Sequence, residues 1–464
     1  MNAGKQPPSF SFDLTRADGV VWSRGGKDSQ FGERGTPAGF FIDDMEIADE
    51  FASRLPPLMA DLVDIASAVH TADRLAVRTA ELNSNWCRRL EIKISVRCAE
   101  MWNGALELGC IERLLGFLTE DAWQVSFVPR RDSPRGSEVQ EHLFAGSRDR
   151  DVEVSLFSGG LDSFAGTADR ASDCSKHLVL VSASPNPQQR ARQQRQVKVL
   201  REQLTKQISH VCVPYGIHHG DEYAQEPSRR TRGFLFLILG GVTALLAGSS
   251  ALYLYENGIG AINLPYDQSQ LGTDNARAVH PRVLRKIGEI LSLAGNQRFS
   301  IENRCIYKTK AEMLQKPAID RVKSAIPYTF SCDGFPVRAK GRAQCGFCTS
   351  CLLRRHSLEL AGLANLDSDG YLQDWKQPSF RPARHHLRGL RAMDWQVFRL
   401  EKCFSEPSLW QALTFEFPEL QATADELSIA NRGTCTDVEP GLTRLLRQHA
   451  ADWRSFSALR LLET

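Results

Sequence analysis

From residue 152 onward the chain alternates short apolar runs with amphipathic stretches. Val152–Phe157, His177–Ala183 and Ile208–Val213 are apolar runs of strand length. Between them the spacing predicts two helices: one beginning near Leu161, and a polar, Arg-rich surface helix over 188–207. Gly233–Tyr255 carries no charge and is long enough to span a bilayer. Gly248-Ser249-Ser250 interrupts it, and we read a core helix followed by a buried strand over 251–255. A long loop over 256–280 and a helix over 281–294 come next. Strands alternating with helices predict an α/β fold with a doubly wound parallel sheet, whose ligands lie beyond the carboxyl ends of the strands.

The flanks read differently. Residues 1–148 form a predicted α+β domain, a scaffold or partner-binding unit without chemistry-bearing motifs. It has helical spacing over 40–69, alternation over Leu90–Val96, a helix over 105–118 and a strand over 123–128. Pro129–Asp151 is polar and reads as a linker. Residues 149–357 form the α/β domain just described. Beyond it, 358–464 are a mostly helical C-terminal extension with Trp375, Trp395, Trp410 and Trp453 among leucines. Its basic run Arg381–Arg391, with His385 and His386, reads as a solvated face.

Composition narrows the class. Of 464 residues, 42% are hydrophobic and 24% charged, ordinary for a soluble protein. A net charge of +2 argues against nucleic acid as a partner. The N-terminus lacks the apolar core of a signal peptide, so a cytoplasmic protein without a membrane partner is expected. Twelve cysteines in that setting predict reduced thiols rather than disulfides.

The most informative stretch follows the first predicted strand: Ser158-Gly159-Gly160-Leu161-Asp162-Ser163. Two glycines let the backbone approach an anion, and the next helix aims N–H groups and its positive dipole end there. Ser158 and Ser163 add hydroxyls. A carboxylate beside a phosphate makes sense mainly with Mg²⁺ between them, which gives Asp162 a purpose. No Walker A run occurs. The bland alternative is a Gly-Gly turn joining strand to helix.

Cys332-x12-Cys345-x2-Cys348-x2-Cys351 has metal-ligand spacing, with Gly346 permitting the sharp turn. A closed set of four thiolates predicts a structural Zn²⁺; an iron–sulfur cluster is the rival ligand.

The six-residue loop matches the SGGxDS pattern of PP-loop ATP pyrophosphatases. Together with Ser331-Cys332, Cys345-Gly346-Phe347-Cys348-Thr349-Ser350-Cys351-Leu352-Leu353-Arg354 and the Thr309-Lys310-Ala311-Glu312 helix start, it resembles QueC, the 7-cyano-7-deazaguanine synthase family. The resemblance covers residues 150–360. Chain length, Arg230-Thr231-Arg232-Gly233, Glu256-Asn257-Gly258-Ile259 and His280-Pro281 look more like the QatC proteins of the bacterial Qat antiphage system. The family's substrate-loop text is missing, and 263–272 stand in that region.

The resemblance implies a PP-loop (adenine nucleotide alpha hydrolase-like) fold with ATP, Mg²⁺ and Zn²⁺ as cofactors. The expected activity is an ATP-dependent C–N bond-forming ligase that releases AMP and pyrophosphate. It would adenylate a 7-carboxy-7-deazaguanine-type carboxylate and transfer it to ammonia or to a protein of the same defence operon. Ser158, Gly159, Gly160, Leu161, Asp162 and Ser163 would hold the phosphates, with Asp162, Ser163 and Lys310 catalytic. Ser182 and Ala183 lie where adenosine would rest. Arg230 and Arg232 are candidates for carboxylate or phosphate. Glu256 and Asn257 either read a purine edge or shape the turn at Gly258. His280 is a general base or a helix-entry residue. Three other readings stay open: a 7-cyano-7-deazaguanine synthase of queuosine biosynthesis, a tRNA-modifying sulfurtransferase, and a non-catalytic ATP-binding assembly subunit.

Overall fold

A computed structural model describes residues 9–14, 21–25, 37–78, 87–107, 109–131, 134–141, 151–218, 225–226, 230–266, 277–334, 344–367, 371–376, 383–431 and 433–462. Much of the predicted substrate region (267–272), the middle of the predicted linker (142–150) and residues 381–382 of the basic run lie outside them.

The chain is α/β, with ten strands among the described residues: β1 (Ser9–Leu14), β2 (Val21–Gly25), β3 (Pro37–Ile42), β4 (Arg89–Val96), β5 (Ala122–Pro129), β6 (Val152–Leu156), β7 (His177–Ser184), β8 (Ile208–His218), β9 (Ala251–Leu254) and β10 (Ser300–Asn303). They form one sheet in the order β10-β9-β6-β7-β8-β3-β2-β1-β4-β5. The five strands from β6 to β10 are mutually parallel. Their side chains alternate between two cores. Val154, Val179 and Val181 join Leu235, Ile238 and Leu291 on one face. Leu178, Leu180 and Ile208 join Phe164, Val197 and Leu200 on the other. Both faces are therefore covered, which explains why these strands read as continuous apolar runs.

The winding reverses between β6 and β9. From β6 the chain moves outward through β7 and β8, then crosses back to β9 and continues to β10. The loops leaving the carboxyl ends of β6 and β9 are thus neighbours, at the position where open parallel sheets hold their ligands.

The apolar run of 233–255 resolves into a helix, Arg232–Leu246, and β9, as expected. No helix among the described residues is long and apolar enough to cross a membrane.

Several expectations need correction. Residues 40–42, read as helical, belong to β3, which pairs antiparallel with β8. That pairing carries the N-terminal strands into the same sheet, and one apolar cluster runs from Leu62 and Leu115 through to Leu239. The sheet and core therefore continue across the predicted boundary at 148. The predicted linker contains a short helix, Gly136–Val139, whose flanking Arg135 pairs with Asp44 at 2.7 Å. Burial of its charges in ion pairs hid that packing from a composition-based reading. The predicted loop 256–280 holds a helical turn, Gly258–Ile262. β10 was not foreseen, because Ser300–Asn303 contains only one apolar residue. The extension is helical as read, with Arg388–Phe404, Leu409–Glu416, Glu419–Asn431 and Cys435–Arg454.

Candidate functional site

Ser158–Gly160 leaves β6 and opens the Leu161–Asp173 helix, whose N-cap Gly160 provides no side-chain cap. The first-turn N–H groups have no intrahelical acceptors, and the dipole adds positive potential there. Gly159 has φ +80, and a Cβ on it would stand 2.8 Å from Gln193 Cγ and 2.9 Å from Phe330 Cε1. Only glycine fits this conformation without strain.

The loop is braced from behind. Gln193 Nε2 donates to Ser158 O at 2.9 Å, and Gln196 Nε2 donates to Gly159 O at 3.0 Å and to Tyr328 O at 3.0 Å. Phe330 N–H also donates to Gly159 O, at 3.2 Å. Within the loop, Gly160 N–H donates to Ser158 Oγ at 3.1 Å, Ser163 Oγ donates to Gly160 O at 3.0 Å, and the two serine hydroxyls are 3.1 Å apart.

Four polar side chains meet beside the loop. Lys310 Nζ lies 2.9 Å from Asp162 Oδ2. Asn257 Nδ2 donates to the same oxygen at 2.9 Å and to Glu256 Oε1 at 3.1 Å. Asp162 and Lys310 are only 5% and 8% exposed. Burial alone would raise the Asp162 carboxyl; the Lys310 charge and its hydrogen bonds outweigh this and hold it below the usual carboxylate range. Burial first, and the Asp162 charge second, push the Glu256 carboxyl well above its usual range. Asp162 Oδ1 is buried, and the Glu256 carboxyl shares a hydrogen bond with the Asp162 carboxylate. Two carboxyl groups thus face one another, one with its pKa drawn down and the other pushed up. A buried carboxylate beside a second carboxyl suits a divalent cation taken up with phosphate oxygens. Mg²⁺ fits this pair.

Of the residues read from the sequence, the fold brings together Ser158, Gly159, Gly160, Leu161, Asp162, Ser163, Glu256, Asn257 and Lys310. Asn257 is buried with both ends of its amide engaged, because its Oδ1 accepts from Gly260 N–H at 2.9 Å. The bond from Gly260 N–H shapes the turn at Gly258, and the Nδ2 bonds tie Asn257 to Asp162 and Glu256. Ser182 is buried; its hydroxyl donates to Phe157 O and lies 2.9 Å from His210 Nε2, and Ala183 faces the core. Arg230 lies away from the loop, donating to Thr119 O at 2.6 Å with Glu120 at 3.5 Å. Arg232 lies over the Phe236 ring, 6.0 Å from its centroid. His280 is the N-cap of Pro281–Gly295 and accepts from Arg282 N–H at 3.2 Å, so helix entry is its visible role.

Gln193, Gln196 and Phe330 were missed. The glutamines fall on the buried stripe that contains Gln189, Val197, Leu200 and Leu204. Reading that spacing, rather than the helix's polarity, would have found them.

The four cysteines converge: the sulfurs of Cys332, Cys345, Cys348 and Cys351 all lie within 4.8 Å of one another. Tetrahedral Zn²⁺ at about 2.3 Å from each sulfur needs separations of just under 4 Å, and Cys345 and Cys351 sulfurs are 3.8 Å apart. Backbone N–H groups of Cys345, Cys348 and Cys351 point at the sulfurs of Cys332, Cys345 and Cys348 at 3.3 to 3.4 Å. Gly346 has φ +91, and a Cβ there would meet Gln373 O at 2.2 Å. The residues fit a structural zinc ion. Phe330, two residues before Cys332, packs on this cluster and on the loop.

The chain matches no protein-family model and no curated protein sequence.

Proposed function

We propose that this chain is an ATP-dependent C–N ligase acting on a 7-carboxy-7-deazaguanine-type carboxylate, in an antiphage setting. The observation that carries the reading is the uncapped helix N-terminus at the sheet's reversal point, with Asp162, Glu256 and Lys310 grouped beside it. The resemblance to QueC and QatC sequences supplies the substrate class.

The loop N–H groups, with Ser158 and Ser163, bind the β- and γ-phosphates. Lys310, released from Asp162, neutralises phosphate charge. Mg²⁺ held by Asp162 and Glu256 would offset the negative charge that builds on departing pyrophosphate. The substrate carboxylate oxygen attacks the α-phosphorus, the bond to pyrophosphate breaks, and an acyl-adenylate forms. An amine nitrogen then attacks the acyl carbon; the C–N bond forms, AMP leaves with the C–O electron pair, and the amine loses a proton. Fixed donors aimed at the departing charge supply the rate enhancement. No nucleophilic side chain is needed. The convergence of four cysteines on one site leaves that set to structure, which disfavours the sulfurtransferase reading.

The test is product analysis. Purified protein, MgATP, 7-carboxy-7-deazaguanine and ammonia should give AMP, pyrophosphate and an amide in equal amounts. Protein co-expressed with its operon partners should show a deazaguanine mass on a partner if an amino group is the acceptor. ATP consumption to ADP, or none, refutes the reading.

A further inference from the structure

The last long helix, Cys435–Arg454, packs on the two segments that deliver Lys310 and Asn257 to Asp162. Leu442, Leu445 and Leu446 form one apolar cluster with Ile262 and Ile306, and Ile259 and Tyr307 pack against it. Ile259 and Ile262 belong to the turn that begins at Asn257; Ile306 and Tyr307 belong to the segment that ends at Lys310.

Polar contacts make the clamp specific. Thr309 and Glu312 close a capping box around Lys310, with Thr309 N–H donating to Glu312 Oε2 at 2.7 Å. The helix grips both members of that box. Arg444 donates to Glu312 Oε1 at 2.7 Å and Oε2 at 3.3 Å, and also to Tyr307 O. Thr309 Oγ1, buried, donates to Asp452 Oδ2 at 3.0 Å. Arg444 draws the Glu312 carboxyl below its usual range against burial, which keeps it an acceptor for the Thr309 N–H. A four-bond lysine stem loses much rotamer freedom when its ammonium is placed. Fixing its backbone from a second element lowers that cost.

We infer that the C-terminal helix is a positioning device for Lys310, acting through Arg444 and Asp452. The inference rests on the proposed ATP reading. Neither residue touches the loop, so both act through Thr309 and Glu312. Lys310 serves the β- and γ-phosphates in that reading, so losing its placement should weaken ligands that contain pyrophosphate and spare AMP.

Calorimetry of the full-length protein with Mg²⁺ tests this, using ATP, pyrophosphate and AMP as probes. Arg444→Ala and Asp452→Ala should each weaken ATP and pyrophosphate binding by about tenfold, as expected for loss of a charge-assisted hydrogen bond. AMP affinity should stay within about twofold, since the variants remain folded. In a Lys310→Ala background, Arg444→Ala should add nothing further. Equal loss of ATP and AMP affinity, undiminished ATP affinity, or additive effects with Lys310→Ala would overturn the positioning role. A wild-type protein that binds none of the three overturns the ATP reading, and the inference falls with it.

Discussion

Lys310 Nζ and Asp162 Oδ2 form a 2.9 Å ion pair at the point between β6 and β9 where the parallel strands reverse their winding. The two residues are far apart in sequence and arrive from opposite sides of that point, Asp162 after β6 and Lys310 after β10. Asn257, arriving after β9, shares the same oxygen. A buried pair is costly to assemble and costlier to break, because either partner alone is an uncompensated charge.

Breaking the pair should therefore separate fold from function. Lys310→Met and Asp162→Asn each remove one charge and keep volume. Each should lower unfolding free energy by about 3 kcal/mol in a urea titration, with the double variant recovering most of that. All three should lose pyrophosphate release by about 100-fold or more. Single variants as stable as wild type would mean the charges are not buried together.

Glu256 makes the opposite prediction. Burial, with the Asp162 charge beside it, pushes its carboxyl well above the reference value of 4.5. Folding therefore takes up a proton once the unfolded chain is ionised, and the contribution of Glu256 to stability declines as pH rises above about 4.5. Glu256→Gln removes this titration and keeps a donor to the Asp162 carboxylate. The variant should melt higher than wild type at pH 7–8, with the gap closing toward pH 4.5, and it should bind Mg²⁺ with ATP more weakly.

His280 sets an acid limit. Burial, with Arg282 and Arg277 nearby, lowers its pKa from 6.5 to about 4. A histidine that stays neutral when folded loses stability as pH falls from 6.5 toward 4, by roughly 3 kcal/mol at full titration. His280→Asn can still cap the helix and does not titrate. Its melting temperature should fall less steeply over that range, without change in neutral-pH activity.

The four-cysteine site should hold one zinc per chain and leave the protein colourless. Gly346→Ala adds a Cβ 2.2 Å from Gln373 O at a positive φ. It should abolish metal retention and cost about 3 kcal/mol or more. Metal analysis with the visible spectrum decides this; a brown protein absorbing near about 400 nm would assign iron–sulfur instead.

Much of this was legible in the sequence because the relevant signals are local. The glycine loop, the strand before it and the cysteine spacing lie within short windows, and apolar runs marked β6, β7, β8 and β9. The rest depended on tertiary context. β10 has one buried apolar side chain, so no periodicity marks it. Gln193 and Gln196 are polar yet buried, because their amides satisfy backbone carbonyls of the loop. Arg230 looked like a ligand arm at a helix start; its partner, the Thr119–Glu120 turn, is distant in sequence. The continuity of β3 with β8 is a pairing between segments that share no local signal.

The central claim is that the loop of Ser158–Ser163 activates a carboxylate by adenylation. Carboxylate-dependent exchange of labelled pyrophosphate into ATP measures that step alone, whatever amine follows. Wild-type protein with Mg²⁺ and 7-carboxy-7-deazaguanine should exchange label, and Asp162→Asn should not. Absence of exchange in metal-replete, folded wild-type protein, or equal exchange in the variant, would contradict the account.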